Sequence, residues 1–538
     1  MNDVHCAART VLLLLLFGCQ QGADAPVADT IDKRPNFLII MADDMGFTDL
    51  GAFGGQDIRT PNLDELALAG IRFTNFHGHL SCAPSRALLM SGTGNHEAGL
   101  GTQIDIESFR GKRGYERYLT QRVATLPEIL RAGGYRTYIA GKWGLGGPQG
   151  IDPTARGFEK SLVLLPSGGG HYGPIFHDSR YARNGRALAE QEEPTFSTTL
   201  FADALIEIFD EDRGSRRPFF ALFTPTAPHW PLHYPPGMRD TYSTAYADGY
   251  EAQRSRRVAG AMDAGVLPEA GDTDDFAAEA APWMSLSDEE QKLQSRIIEI
   301  YAAMTEHLDL EVGRLLRHMA TVGALDNTLI LFINDNGAQG GPVFGGPRSY
   351  AEGRTFDNSL DNIGAGNSWA NMGQGWAEAS TAPFRDGKAS VYEGGLRVAA
   401  FAHWPGTVRS ASINRQFLNN MDVMPTLLEL AGLSHPAPEF AGSLVLPMRG
   451  RSFAGILRGD DAPVHPPDES IALSSAGRHF MYRGDWKLLK ELNSAWELYN
   501  LSSDPYERHN LADEEPELLQ ELLAEFEIQA RRSNILDR

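Results

Sequence analysis

Four short apolar runs, each followed by a cluster of polar residues, constrain the fold of this chain more than any other feature. They cover residues 36–41, 135–140, 219–223 and 328–333. Runs of this length and composition are typical of buried strands in a parallel sheet. The polar residues that follow them are Asp43, Asp44, Lys142, His229, Asp335 and Asn336. Because parallel strands end at one edge of a sheet, these side chains are expected to meet there.

Helical periodicity separates these runs. It predicts helices over residues 62–69, 126–132, 200–209 and 288–319. Strands that alternate with helices favour an α/β fold, with a mostly parallel sheet covered by helices on both faces.

Three further regions have a different composition. Residues 240–287 are polar, acidic and weakly periodic, and we expect an insertion over the pocket rather than core. Residues 337–386 are rich in Gly, Asn and Ser and are predicted to be loop. Beyond a helix at 421–432, short apolar segments at 480–483, 486–490 and 496–501 precede a helix at 515–531, which predicts a small antiparallel sheet with a terminal helix.

The net charge and the cysteines restrict the function. A formal net charge of −22 over 538 residues argues against a nucleic-acid partner, because phosphate binding needs a basic surface. An anionic small substrate stays open, since a few converging Arg and Lys side chains can form a local positive pocket. The three cysteines are Cys6, Cys19 and Cys82, so the mature chain has no intramolecular disulfide framework.

The N-terminus has the layout of an export signal. Arg9 precedes an apolar run at 11–17, which is too short to span a bilayer, and the small residue Gly18 and Cys19 follow. Residues 16–19 also resemble a bacterial lipobox, in which Cys19 is lipidated; a buried structural helix is the alternative. We expect a signal peptide at 1–19 and a tether at 20–34. The mature protein would then reside in the periplasm, or at the outer membrane or cell surface with Cys19 as its only membrane anchor.

Residues 81–86, Ser-Cys-Ala-Pro-Ser-Arg, are the sharpest local motif. Pro84 and Ser85 suit the first turn of a helix, so Cys82 would lie where free backbone N–H groups favour an anion. A buried free cysteine is the structural alternative. The motif, which ends at Arg86, matches the Cys-x-Pro-Ser-Arg signature, and the chain resembles the sulfatase family. The resemblance implies that a separate maturation enzyme oxidises Cys82 to formylglycine.

Two pairs of residues offer oxygen donors. Asp43-Asp44 and Asp335-Asn336 suit a hard cation such as calcium, although each pair taken singly is an ordinary turn. Both pairs resemble the metal site of sulfatases. The resemblance implies that Asp43, Asp44, Asp335, Asn336 and the modified Cys82 bind one Ca²⁺, which would hold a formylglycine hydroxyl and a sulfate oxygen.

A second family signature matches residues 134–143, and its lysine, Lys142, would contact sulfate and the formylglycine hydrate. Sulfatases usually continue Trp-His-Leu-Gly, whereas this chain has Gly144 in place of the histidine. That histidine normally hydrogen-bonds the formylglycine. One hypothesis is that His171 fills the gap from another loop; the alternative is an ordinary surface histidine.

Two more residues resemble the family's leaving-group machinery. His229, within 226–231, matches a histidine that acts on the leaving oxygen, and Lys388, within 386–398, matches a lysine that bridges sulfate and that oxygen. A structural histidine in a Pro-rich turn and an exposed lysine near a turn are the alternatives.

The resemblance covers residues 35–432 and short segments beyond, and residues 95–102 and 358–364 look closest to bacterial arylsulfatases. It implies an alkaline phosphatase-like α/β fold: a mixed, mostly parallel sheet flanked by helices, with a smaller C-terminal antiparallel sheet subdomain. The expected division is a catalytic domain at 35–435 and a subdomain at 436–538. The implied activity is hydrolysis of the sulfate monoester of an aryl alcohol or a carbohydrate, with release of inorganic sulfate.

Two other functions stay open from the sequence. A phosphonate or phosphate monoester hydrolase would share the fold and the metal. A surface lipoprotein that binds sulfated glycans without turnover is the other possibility, and Gly144 motivates it.

Overall fold

The computed structural model describes residues 32–146, 151–172, 181–188, 195–267, 279–344 and 355–537. The predicted signal peptide, Cys19 and most of the tether lie outside the described residues. Among the helices that the structure describes, none has an apolar stretch of the length that a bilayer crossing requires.

An eleven-stranded sheet forms the centre of the molecule. Its strands are β1 (Asn36–Ala42), β2 (Ile71–His77), β3 (Arg136–Lys142), β4 (Lys160–Leu164), β5 (Tyr181–Arg183), β6 (Arg186–Ala187), β7 (Phe219–Thr224), β8 (Thr328–Asn334), β9 (Arg397–His403), β10 (Ser412–Asn414) and β11 (Leu418–Asn419). Their order is β10-β2-β9-β8-β1-β7-β3-β4-β5-β6, and β11 also pairs with β2. The central strands β8, β1, β7, β3 and β4 are parallel. All four predicted strands are among them, so the predicted α/β class is confirmed.

The sheet is mixed, because β9 runs antiparallel to β2 and β8, and β5 runs antiparallel to β4 and β6. The apolar pattern does not reveal β2, because polar residues interrupt its apolar ones. Arg72 and Thr74 are nevertheless buried, and Arg72 Nη1 donates to the Ala52 carbonyl at 2.8 Å. A distant hydrogen-bond partner therefore makes this buried strand possible.

Helices cover both faces of the sheet. The helices of the described residues are α1 (Pro61–Leu68), α2 (Cys82–Ser91), α3 (Asn95–Ala98), α4 (Leu126–Ala132), α5 (Ser197–Glu211), α6 (Tyr250–Asp263), α7 (Asp288–Thr321), α8 (Gln374–Ser380), α9 (Glu393–Leu396), α10 (Val423–Leu430), α11 (Ala454–Leu457) and α12 (Pro516–Ser533). Along β1, Leu38 and Ile40 face the core under α1, α5 and α7, whereas Phe37 and Ile39 face the core under α2, α4 and α10. This alternation is the two-residue period of a strand buried on both faces.

A second, antiparallel sheet lies near the C-terminus. Its strands, in sequential order, are β14 (Ser470–Ser475), β15 (Arg478–Arg483), β16 (Trp486–Lys490) and β17 (Glu497–Asn500); the short hairpin of β12 (Glu439–Phe440) and β13 (Ser443–Leu444) precedes them. Helix α12 packs on one face through Leu522 and Phe526, and the other face packs against Leu80 and Leu88. The predicted antiparallel sheet and terminal helix are confirmed, while the division at 435/436 stays a prediction.

The prediction that residues 240–287 are an insertion over the pocket rather than core is wrong. Residues 268–278 lie outside the described part, but α6 belongs to the core: Arg257 is buried and donates to Asp49 and Asp57. Helix α6 also packs on α8, which interrupts the loop predicted at 337–386. The partners of Arg257 are about 200 residues away in sequence, so the local pattern does not reveal its burial.

Candidate active site

The carboxyl ends of four parallel strands converge as predicted. Asp43 and Asp44 follow β1, Lys142 ends β3, His229 lies beyond β7, and Asp335 follows β8. The positive φ of 65° at Asp44 turns the chain sharply where β1 ends. One buried set of charges therefore occupies this edge of the sheet.

Cys82 is the first residue of α2 and is buried. Its Sγ lies 3.4 Å from Asp43 Oδ1 and 3.8 Å from Asp44 Oδ1. Burial and the nearby Asp335 carboxylate raise the pKa of the Cys82 thiol, which keeps it protonated at neutral pH. A protonated thiol is a poor nucleophile. The predicted position at a helix N-terminus, with Pro84 in the first turn, is observed.

Three cations pair with three buried carboxylates. Lys142 Nζ lies 2.6 and 2.9 Å from the Asp43 oxygens, and Lys388 Nζ lies 2.7 Å from the Asp44 carboxylate. Arg86 Nη2 donates to Asp335 Oδ2 at 3.0 Å.

These pairs set the protonation of the carboxylates. Burial alone would raise the pKa of Asp43, but Lys142, His229, Arg86 and Lys388 outweigh it, and its pKa is lowered. Burial and the Asp43 charge raise the pKa of Asp335 to about 6. Asp43 and Asp44, whose pKa values are both lowered, therefore carry negative charge beside Cys82.

His229 faces the same carboxylates. Its Nε2 lies 3.5 Å from Asp44 Oδ2, and its Nδ1 is hydrogen-bonded to the Trp230 carbonyl, which orients the ring. Burial lowers the pKa of His229 to about 4, although Asp44 opposes this shift. The imidazole is therefore neutral near pH 7, and it can accept a proton close to Cys82.

The donor atoms fit a hard cation. Asp43, Asp44, Cys82 and His229 each offer one ligand atom, and these four atoms lie within 4.8 Å of one another. Asn336 Nδ2 donates to Asp44 Oδ1 at 2.7 Å, but Asn336 Oδ1 is buried and has no hydrogen-bond partner among the described residues. Such a buried carbonyl oxygen needs a donor or a cation. Together with the carboxylates of Asp43, Asp44 and Asp335, it forms an oxygen-rich set that suits a divalent metal.

Gly144 borders this site. It has a φ of 68°, and a Cβ atom built on it would lie 3.7 Å from Arg86 Cδ and 3.8 Å from Lys142 Cε. A side chain at this position would therefore extend between the two cations that pair with Asp43 and Asp335.

His171 is not an ordinary surface histidine, because it is buried. Its Nδ1 is 2.8 Å from Ser197 Oγ and its Nε2 is 2.9 Å from the His229 carbonyl oxygen. Nδ1 is thus held by Ser197 and Nε2 by the His229 backbone, and neither nitrogen reaches Cys82. The structure does not place His171 in the gap left at Gly144.

Sequence reasoning missed two positioning residues. Ser85 Oγ donates to the Asp335 carbonyl at 2.5 Å and accepts from Asn420 Nδ2 at 2.7 Å, so it ties α2 to the end of β8. Ser85 belongs to the Cys82 motif and could have been singled out there. Asn420 lies 335 residues from Ser85 and has no local signal.

The fold and the site together define a protein of the α/β class with a site suited to an anionic ester: a nucleophile position at a helix N-terminus, a cluster of metal-type oxygen donors, and a histidine beside it. Comparison with known proteins specifies the class further. The model of the Sulfatase family matches residues 35–433, and that of the N-sulphoglucosamine sulphohydrolase C-terminal region matches residues 384–532.

Individual proteins that resemble this chain are also described as sulfatases. The chain is 38% identical over 517 residues to an uncharacterized sulfatase of Schizosaccharomyces pombe, which covers 91% of this chain and 92% of the relative. It is 33% identical over 433 residues to the arylsulfatase of Klebsiella aerogenes, with 79% of this chain and 92% of that protein covered. The crystal structure of the PsFucS1 sulfatase from Pseudoalteromonas sp. has the same fold, with a TM-score of 0.62 at 19% identity over 94% of this chain and 92% of that one. This chain belongs to the sulfatase family and is a sulfuric ester hydrolase.

Proposed function

We propose that this protein hydrolyses sulfate monoesters through a formylglycine formed at residue 82, with one Ca²⁺ bound beside it. The observation that carries this proposal is the position of Cys82, which is buried at the start of α2 and 3.4 Å from Asp43. Lys142, Arg86 and Lys388 surround the same carboxylates. An unmodified, protonated thiol is a poor nucleophile at this position, whereas a hydrated aldehyde supplies a hydroxyl there.

The side chains of the site have different roles in the reaction. One hydroxyl of the hydrated residue 82 forms a bond to sulfur while the bond from sulfur to the ester oxygen breaks. The departing oxygen takes up a proton, which His229 would relay from the attacking hydroxyl, and the Lys388 ammonium balances the charge on that oxygen. Loss of a proton from the second hydroxyl then breaks the bond between carbon and the sulfate oxygen. This step releases sulfate and restores the aldehyde, which water hydrates again.

Asp43, Asp44, Asp335 and Asn336 would hold the cation, since all four offer oxygen and the Oδ1 of Asn336 has no other partner in the part of the chain that the structure describes. A bound divalent cation would polarise a sulfate oxygen and a hydroxyl of residue 82. The three carboxylates and the three cationic side chains balance in charge. Added divalent charge therefore gives the site a positive excess, which attracts an anionic ester.

The decisive experiment follows residue 82 and sulfate together. Purified protein is digested, residue 82 is identified by mass spectrometry, and sulfate release from an aryl sulfate is measured before and after chelation. We expect formylglycine, sulfate release, loss of release on chelation and recovery with Ca²⁺. Cys82→Ala is the control, since it cannot be converted and should release no sulfate. Converted protein that releases no sulfate from any ester, with Ca²⁺ present, would refute the proposal.

A phosphoryl ester hydrolase of the same fold is tested in the same assay. An aryl phosphonate ester with the same leaving group is compared with the aryl sulfate. A higher kcat/KM on the phosphonate would replace the sulfatase assignment by that of a phosphonate hydrolase.

Export is part of the proposal and is supported by the signal-like residues 1–19 and by Cys19. We expect a lipid on Cys19 that holds the protein at the membrane surface, and a maturation enzyme in the host. Labelling with a fatty acid should modify the wild type and spare Cys19→Ser, and unlabelled wild type would refute the anchor.

A further inference from the structure

Lys388 lies in a turn with an unusual backbone conformation. Asp386 and Ala389, which flank it, have φ values of 62° and 72°. Residues with a side chain seldom adopt this left-handed region, and they remain in it only where the surrounding contacts fix the backbone. Such residues cluster at functional sites. The contacts that fix residues 386–389, which we call the lysine turn, therefore bear on the reaction.

Two backbone hydrogen bonds place the lysine turn against the rest of the site. The Lys388 amide donates to the Ala338 carbonyl at 2.9 Å, and the Ala389 amide donates to the Leu80 carbonyl at 2.8 Å. Ala338 closely follows the oxygen donors at the end of β8, and Leu80 is two residues before Cys82. The turn therefore joins the segment of metal-type donors to the segment that carries the nucleophile position.

The lysine turn fits closely against its neighbours. A Cβ atom built on Gly387 would lie 2.5 Å from the Ala338 carbonyl oxygen, which is closer than such atoms approach in folded proteins. At the far end of the Lys388 side chain, which is 6% exposed, the ammonium lies 2.7 Å from the Asp44 carboxylate. The backbone and the ammonium of Lys388 are thus both fixed, so a change in the turn would displace the ammonium.

Asp386 stabilises the lysine turn through both its side chain and its backbone. Its Oδ1 accepts from the Gly387 amide at 2.8 Å, and its carbonyl accepts from the Thr381 hydroxyl at 2.8 Å. Aspartate tolerates the left-handed region better than most residues, because its short carboxylate can hydrogen-bond the local backbone. Asp386 therefore supplies the acceptor that keeps the turn in its observed conformation, two residues before Lys388.

We propose that Asp386 is a positioning residue, which holds the Lys388 ammonium where charge develops on the departing ester oxygen. The inference rests on the proposed function and adds to it a residue that acts through Lys388. While the bond from sulfur to the ester oxygen breaks, negative charge grows on that oxygen, and an ammonium that is already in place stabilises it without reorganisation. Esters of weakly acidic alcohols gain most from this, because such alcohols are least able to bear the charge themselves.

The test measures kcat/KM on 4-nitrophenyl sulfate and on phenyl sulfate, whose alcohol is the weaker acid. This constant includes the step that breaks the ester bond, and the ratio of its two values, nitrophenyl to phenyl, does not depend on the fraction of protein that carries formylglycine. We expect Asp386→Ala to raise the ratio by roughly tenfold, because a displaced ammonium no longer supports the poorer leaving group. Asp386→Asn keeps an acceptor for the Gly387 amide and tolerates the left-handed region, so it should stay near the wild-type ratio.

A double variant shows whether Asp386 acts through Lys388. Lys388→Ala should raise the ratio at least as much as Asp386→Ala does, and combining the two should raise it no further. If Asp386→Ala does not fold, Asp386→Gly replaces it, since glycine accepts a φ of 62° without strain but offers no acceptor. The matched control is Asp460→Ala, which removes a carboxylate that accepts from the Ala462 amide at 2.9 Å just after α11 and should keep the wild-type ratio.

Three results would overturn the inference: an unchanged ratio in Asp386→Ala, an equal rise in Asp386→Asn and Asp386→Ala, or effects of Asp386→Ala and Lys388→Ala that multiply in the double variant. In each case the wild type still releases sulfate, so only the positioning role is refuted. Wild type that carries formylglycine and releases no sulfate from either ester, with Ca²⁺ present, would instead refute the proposed function. The two failures are therefore distinguishable.

Discussion

Gly144 is the residue at which this chain departs from the usual sulfatase pattern. The structure leaves room for a Cβ atom there, since a built Cβ makes ordinary van der Waals contacts with Arg86, Ser167 and Lys142 at 3.7 to 3.8 Å. His171 does not fill that room, because its ring nitrogens contact Ser197 and the His229 backbone. Substitution at position 144 therefore tests whether the missing imidazole limits turnover.

We expect Gly144→His to raise kcat for an aryl sulfate by roughly tenfold, the effect of about one added charge-assisted hydrogen bond at the nucleophile. The φ of 68° should at the same time lower the free energy of unfolding by about 1–2 kcal/mol. Gly144→Ala carries the same backbone strain without the imidazole and serves as the control. Equal kcat values for the two variants would show that the gap has no catalytic consequence.

Among the elements, helix α2 carries both Cys82 and Arg86, and Ser85 sets its position. The Ser85 hydroxyl joins α2 to the Asp335 carbonyl and to Asn420. A small shift of this helix would move the nucleophile relative to the metal ligands, and small misplacements of reacting groups reduce rates strongly.

Ser85→Ala should lower the free energy of unfolding by about 1–3 kcal/mol, because the buried Asn420 amide and Asp335 carbonyl lose their partner. We also expect kcat to fall more than KM rises. The matched control is Ser91→Ala on the same helix, whose buried hydroxyl donates to the Ala87 carbonyl of its own helix. Urea unfolding measures the stability of both variants, and steady-state kinetics measure their kcat and KM. Similar kcat values for the two would contradict a positioning role for Ser85.

The start of α10 is held by a histidine whose charge depends on pH. His465 Nε2 lies 3.0 Å from Asp422 Oδ2, and its Nδ1 lies 3.0 Å from Glu469 Oε2, which also accepts from Arg451. Burial lowers the pKa of His465, but the two carboxylates outweigh burial and the net shift is upward. A raised folded-state pKa stabilises the fold below the unfolded value near 6.5, and this stabilisation disappears as pH rises through the folded value.

We therefore expect His465→Gln to reduce the free energy of unfolding by about 1 kcal/mol more at pH 5.5 than at pH 8.5. Urea unfolding of wild type and variant at both pH values measures the difference. His435→Gln is the control, because burial lowers its pKa and its shift therefore has the opposite sign. If His465→Gln lowered the free energy of unfolding more at pH 8.5 than at pH 5.5, the assigned contacts would be contradicted.

At the scale of the whole molecule, a buried ionic network joins the C-terminal sheet to the segment that carries Lys388. Glu393, which begins α9, accepts from Lys487 Nζ at 2.8 Å and from the Tyr482 hydroxyl at 2.7 Å, and lies 2.9 Å from His77 Nε2. Lys487 Nζ also lies 2.6 Å from Glu507 Oε1. Lys487, Glu393 and Glu507 are fully buried, so this network determines how the two sheets are placed relative to each other.

Lys487→Met should lower the free energy of unfolding by about 3–5 kcal/mol, because it leaves two buried carboxylates without their cation. Lys490→Met on the same strand is the control. Its ammonium is partly exposed and 3.6 Å from Asp537, and an effect within about 0.5 kcal/mol is expected. Differential scanning calorimetry or urea unfolding would measure both. If Lys487→Met lowered the free energy of unfolding by less than Lys490→Met, the role of the network would be contradicted.

Some features could be predicted because their cause is local. The apolar runs of β1, β3, β7 and β8, the helix that starts at Cys82, and the polar residues after each strand follow from patterns a few residues long. Residues whose burial depends on remote partners could not be found in this way. Arg257 and strand β2 are examples, since hydrogen bonds to distant positions offset the cost of burying them.

The sequence by itself therefore determined the α/β class, the acidic character that argues against a nucleic-acid partner, and the candidate residues at the ends of the parallel strands. Only the tertiary structure decided how those residues combine. It pairs Lys388 with Asp44 across 344 positions, turns His171 toward the His229 backbone, and brings Trp369 against Trp230. The physical reason is that strand and helix periodicity comes from local backbone geometry, whereas the pairing of charges and rings depends on packing between segments that are far apart in the chain.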